Sequence, residues 1–224
     1  LAGGATRIRG ASGTERPRAA MSSPAPLPKE IHRSAQRGEL QKVVKWLRKG
    51  GPVGALRPTT THDGRAIAVS LLHTAATNDQ LEIVRELLKR GASIDLPNGL
   101  DYTALMAAAN YGHLSILLVL LQHLANPDLQ DVEGCTALMQ AADEGHEACV
   151  QALLRAKANP DLQDIYGSTA LALAASRGQE SCVKALLRAK ANTELLDVRG
   201  NTALHYAESN GYTRIAKLIR QHAA

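Results

Sequence analysis

Residues 131–160 read DVEGCTALMQAADEGHEACVQALLRAKANP, and residues 164–193 read DIYGSTALALAASRGQESCVKALLRAKANT. The second stretch restates the first 33 positions later, and the likeness continues in both directions. Thr103-Ala104-Leu105, Thr136-Ala137-Leu138, Thr169-Ala170-Leu171 and Thr202-Ala203-Leu204 follow one another at this step, with Ser70-Leu71-Leu72 one step upstream. Paired leucines keep register at 87–88, 120–121, 153–154 and 186–187, as do Ala125-Asn126, Ala158-Asn159 and Ala191-Asn192. Several residue types locked to one period are the mark of a tandem-repeat architecture.

Within a repeat the spacing is helical. Leu138, Ala141 and Ala142 fall at i, i+3 and i+4, on one face of a short helix that Gly145 ends. A second helix follows, with Cys149, Val150, Ala152, Leu153 and Leu154 as its apolar face, and Asn159-Pro160-Asp161 and Gly167 supply turn residues before the next repeat. One such pair cannot bury its own stripe, so neighbours must stack into a continuous core.

These residues resemble the ankyrin-repeat family, whose unit has the form Asp-x-x-Gly-x-Thr-Pro-Leu-His-x-Ala-Ala, then Gly-His, Leu-Leu and Gly-Ala. Asp131, Gly134, Thr136, Leu138, Ala141, Ala142, Gly145, His146, Leu153, Leu154 and Ala158 match it, as do Asp197, Gly200, Thr202, Leu204, His205 and Ala207. Ala replaces the family's Pro at 104, 137, 170 and 203, which loosens the first helical turn without threatening the fold. The resemblance implies an all-α ankyrin-repeat solenoid of helix-turn-helix units with short β-turn or hairpin projections.

Six units are expected across residues 28–224: near 28–64, 65–97, 98–130, 131–163, 164–196 and 197–224. Ile31 lies 41 residues before Leu72, so the first unit carries eight extra residues, expected as an enlarged loop at 52–70. Both ends trade apolar for polar residues, as terminal caps require: Ser34, Lys42 and Lys45 at the first, Glu208 and Arg220 at the last. Residues 1–27, composed largely of Gly, Ser, Arg and Pro, are expected to form a disordered basic tail.

Composition narrows the function. Of the 224 residues 45% are hydrophobic and 21% charged, with no Phe and one Trp, so the core must be aliphatic. The best apolar run, Ile116–Leu121, is only six residues, far short of the roughly 20 of a membrane helix, and no secretory signal is evident. The net charge is +5, of which residues 1–30 hold +3. A basic tail on a nearly neutral body argues against a nucleic-acid face. Three cysteines fit a reducing compartment, and the expected location is the cytoplasm, with the nucleus open.

No catalytic residue, metal site or cofactor is expected. Cys149 and Cys182 read as core thiols, and Cys135, in a turn, has no paired base. His32, His73 and His205 occupy the family's first-helix His site, and His113 and His146 its Gly-His site. The resemblance implies that these bond neighbouring backbone. Asp131, Asp164 and Asp197 read as turn residues that cap their own backbone. His146-Glu147 lacks the second His that a zinc-protease helix needs.

The remaining feature is a surface. The resemblance implies that turn tips and the exposed side of the first helices bind another protein. The positions carried over include Leu100, Tyr102, Asn110 and Tyr111; Val132, Glu133, Cys135, Asp143 and Glu144; Ile165, Tyr166, Ser168, Ser176 and Arg177; and Val198, Arg199 and Asn201. The tyrosines are the expected anchors, dispensable for stability, and the carboxylates favour a partner with basic character. Leu118, where other units have Arg85, Gln151, Lys184 or Lys217, leaves its helix apolar all round. A partner, a second copy or the 52–70 loop could cover it, and a monomer with weak self-association through Leu118 is expected. The expected function is a non-enzymatic protein-binding scaffold or adaptor. The alternative is a regulatory inhibitor that occludes an enzyme or transcription factor. Finally, Leu124, Lys157 and Lys190 stand where Gly50 and Gly91 end their helices, so each is expected to pay for a left-handed backbone.

Overall fold

The recurring hydroxyl residue sets where each repeat begins. In the computed structural model, which describes residues 26–60 and 64–222, Ser70, Thr103, Thr136, Thr169 and Thr202 each sit just before a short helix. Their side-chain oxygens accept the backbone N–H three residues on, at 3.2–3.3 Å. At Thr103 and Thr136 the sulfurs of Met106 and Met139 reach back to the capping residue's own N–H. Such caps matter because helices this short are marginal alone.

The order of elements among the described residues is α1 (Lys29–Gln36), α2 (Leu40–Arg48), β1 (Leu56–Thr60), β2 (Ala66–Ser70), α3 (Leu71–Thr77), α4 (Leu81–Lys89), α5 (Ala104–Asn110) and α6 (Leu114–Gln122). There follow α7 (Ala137–Asp143), α8 (Glu147–Arg155), α9 (Ala170–Arg177), α10 (Glu180–Arg188), α11 (Ala203–Ser209) and α12 (Thr213–His222). Each odd-numbered helix packs on the next even one, and the odd and even series each stack on themselves in chain order. The fold is therefore an all-α solenoid with one core running along it, in which Ala108, Ala141 and Ala174 are fully buried between adjacent first helices. None of the described helices is long and apolar enough to cross a membrane.

The turns between pairs are bonded within and across repeats. Oδ1 of Asp131 accepts the N–H groups of Glu133 and Cys135, Asp164 those of Tyr166 and Ser168, and Asp197 those of Arg199 and Asn201. Each of these carboxylates caps its own turn. Neighbouring tips then join by single backbone bonds, Val132 N–H to Leu100 O, Ile165 to Glu133 and Val198 to Tyr166, at 2.9–3.0 Å.

At the two ends of the described array polar groups pair locally. The hydroxyl of Ser34, itself buried, donates to Glu39, which also pairs with Lys42 at 2.9 Å. Glu208 on α11 pairs with Arg220 on α12.

The 52–70 segment departs from the expected loop. It folds into an antiparallel hairpin, Leu56 opposite Ser70 through Thr60 opposite Ala66. Thr59, Thr60, Ile67 and Val69 are β-branched, which suits a pleated, half-buried ribbon better than a helix or an open loop. Leu27 also departs from the expected tail, being only 2% exposed with its N–H bonded to Leu56 O at 2.9 Å. The expectation for residues 1–25 lies outside the described residues.

Candidate interaction surface

The hairpin creates what the period could not announce. Thr59, Ile67 and Val69 form one wall of an open groove of about 440 Å³. The opposite wall comes from the first helices: His32 and Gln36 of α1, buried His73 and Thr74 with Thr77 of α3, and Tyr111 at the end of α5. Asn98, Leu100 and Tyr102 close it from the next turn.

Tyr102 is not the dispensable surface anchor the sequence suggested. It is half-buried, packs on the core, and burial pushes its hydroxyl well above the usual phenol range. Its carbonyl accepts a hydrogen bond from Nε2–H of buried His73, whose Nδ1 faces the Ser70 hydroxyl at 3.3 Å. A carbonyl can only accept, so this bond fixes the neutral tautomer. Burial lowers the His73 pKa, and the Tyr102 carbonyl opposes this only in part. Tyr102→Ala would therefore disturb the wall as well as the surface.

Other histidines serve the scaffold in the same way. His113 bonds the Thr77 carbonyl at 3.2 Å and His146 that of Asn110 at 3.0 Å, each tying a second helix to the preceding first helix. Gln179 makes the equivalent bond to the Asp143 carbonyl, whereas Asn210, at the end of α11, donates to the Ser176 carbonyl of α9. His205 is exposed and lies edge-on to Tyr206.

Burial pushes Cys149 and Cys182 up to about 11 and Cys135 up to about 12, where Asp131 and Asp164 add to the effect. All three are thiols at neutral pH, so none is an activated nucleophile.

The remaining candidates lie along the ridge of helix ends and turn tips. Tyr111 is 53% exposed and stacks on His113, and Tyr166 is 59% exposed. Val132, Ile165 and Val198 stand open on successive tips. Asp143 is held by Arg177 of the next first helix, whereas exposed Glu144 makes no ion pair among the described residues. Glu133 lies 3.8 Å from Arg65 of the hairpin side. Arg199 is exposed. Leu118 sits apart, 41% exposed on α6, which packs on α4, α5 and α8.

Sequence reasoning missed His32, Gln36, Thr77 and the hairpin wall as parts of this surface. The eight extra residues before Leu72 were the available signal. No curated protein matches the sequence at a significant level. The family model described as ankyrin repeats (3 copies) matches residues 31–131, 72–164 and 138–224, overlapping windows that together span the helical array. Period, capped helix pairs and family match agree: the chain belongs to the ankyrin-repeat family, whose repeats are in general modules of protein–protein interaction.

Proposed function

We propose that the chain is a non-enzymatic protein-binding scaffold or adaptor, and that it recognises its partner with the turn tips and first-helix side of the units between residues 98 and 196. One observation carries this reading. Tyr111, Tyr166, Val132 and Ile165 hold large apolar groups in solvent on a backbone whose turns are already bonded, and none of them packs on the core. Aromatic side chains on a rigid frame are favoured interface anchors because they bury much area at little entropic cost. Asp143, bonded to Arg177, together with Glu144 and Glu133 forms the polar rim, with Arg199 beyond them.

The test is capture of the partner from native cells on the immobilised full chain, followed by mass spectrometry. Tyr111→Ala combined with Tyr166→Ala should leave the thermal midpoint unchanged and abolish capture. Capture that survives this double change in a folded protein overturns the assignment.

A further inference from the structure

The groove beneath the hairpin is polarised. Arg57 shares a strand face with Thr59 and lies opposite Val69, both of which line the groove. Its guanidinium acts on His32 of α1, and it has no carboxylate partner among the described residues. At the far side, Glu144 stands 33 residues after Tyr111, one step along the same ridge, and its charge adds to the larger effect of Asp131 at the groove-lining Tyr102 hydroxyl. Its neighbour Asp143 is bonded to Arg177, whereas Glu144 makes no hydrogen-bonded ion pair among the described residues. Between these charges the lining is uncharged: Ile67, Val69, Leu100 and the rings of Tyr102 and Tyr111, with Thr77 and Asn78 as hydrogen-bonding groups.

From these placements we infer that the groove takes an extended peptide segment of a partner protein, with a carboxylate at the end that meets Arg57 and a Lys or Arg at the end that meets Glu144. The inference rests on the reading of this face as an interface and specifies its ligand. Length follows from the stack. Helices α1, α3, α5 and α7 adjoin in that order, so the two charges lie about three helix spacings apart, at about 8–10 Å each. An extended chain covers that span in about eight residues at about 3.3 Å per residue. Charge complementarity selects the segment because a like charge at either end is repelled, most strongly at low salt, whereas the apolar and hydroxyl middle tolerates many sequences.

The experiment uses three fluorescein-labelled octapeptides with one Ser/Val interior, blocked termini, and ends Asp…Lys, Lys…Lys or Asp…Asp. Anisotropy is read at low salt against the full chain. The Asp…Lys peptide should bind about tenfold more tightly than either other peptide. Arg57→Glu should move the preference to Lys…Lys, and Glu144→Arg should move it to Asp…Asp. The neutral changes Arg57→Gln and Glu144→Gln, checked by circular dichroism, should each erase one half of the discrimination. Equal affinity for all three peptides, binding of none, or an unchanged preference in folded variants overturns the inference. If the peptides show no preference while partner capture still depends on Tyr111 and Tyr166, the inference falls and the interface reading stands. If capture is also indifferent to those tyrosines, both fall.

Discussion

Arg177 reaches across a step of 34 residues to close a two-pronged ion pair on Asp143, with Nε to Oδ1 at 2.9 Å and Nη2 to Oδ2 at 3.1 Å. The pair crosses from α7 to α9 on the side that carries the exposed tyrosines, so it fixes the position of one carboxylate and leaves its neighbour Glu144 open.

The Arg177 side chain is 63% exposed, so the pair's contribution to stability is small. A double-mutant cycle of Asp143→Ala and Arg177→Ala, followed by urea denaturation, should give a coupling of about 0.5 kcal/mol that shrinks with added salt. A coupling of several kcal/mol would show that the pair is far better desolvated than its exposure indicates.

Lys157 holds φ at +69°, Leu124 at +66° and Lys190 at +63°, each in the register where Gly50 and Gly91 end their helices. A side chain at such a position costs about 1 kcal/mol relative to glycine. Lys157→Gly should therefore raise unfolding free energy by about 1 kcal/mol, less a few tenths for the freer unfolded chain. A lowered chemical-denaturation midpoint would contradict this.

Asp197 accepts from the Tyr206 hydroxyl, from the N–H groups of Arg199 and Asn201 and from the Asn201 amide. The Tyr206 bond, first among these, holds its pKa down at about 2 against an ordinary 3.8. A depressed folded-state pKa stabilises the protein at pH values above 3.8, and that stability drains away as pH falls towards about 2. Tyr206→Phe should cost about 1 kcal/mol at neutral pH and flatten the acid limb of the stability curve. An unaltered acid limb would show that the backbone donors hold the carboxylate without the phenol.

His73 resists protonation because it is buried, and His32 does so through burial and Arg57. The unfolded chain takes up these protons near pH 6.5, so stability is complete above that pH and declines as the solution becomes more acid. Thermal midpoints taken between pH 7.5 and pH 5 should fall, with a smaller fall for His73→Gln. Equal slopes would place the titration elsewhere.

The period of 33 made the helix pairs, caps and turn carboxylates legible because each is a local device repeated with the same residues. Thr136 caps α7 for the same reason that Thr169 caps α9. What the period could not disclose occurs only once. The hairpin at 56–70 has no second copy to align with, and its Pro, Gly and Thr content also suits an open loop. Tyr102 was misjudged because the corresponding positions hold Cys135, Ser168 and Asn201, which suggests a variable surface site. Only the hairpin and His73, brought from earlier in the chain, complete the groove that Tyr102 lines and the bond that its carbonyl accepts.

The second-helix ends described above divide the molecule unevenly. Relaxed glycines close α2 and α4, whereas α6, α8 and α10 end on side chains held in a left-handed backbone. Strain of this kind at second-helix ends thus falls in the units that display Tyr111, Tyr166 and Arg177, while Asp79 and Asp101 hold a left-handed backbone nearer the hairpin. A ligand clasping those units would act as a splint and raise the melting temperature.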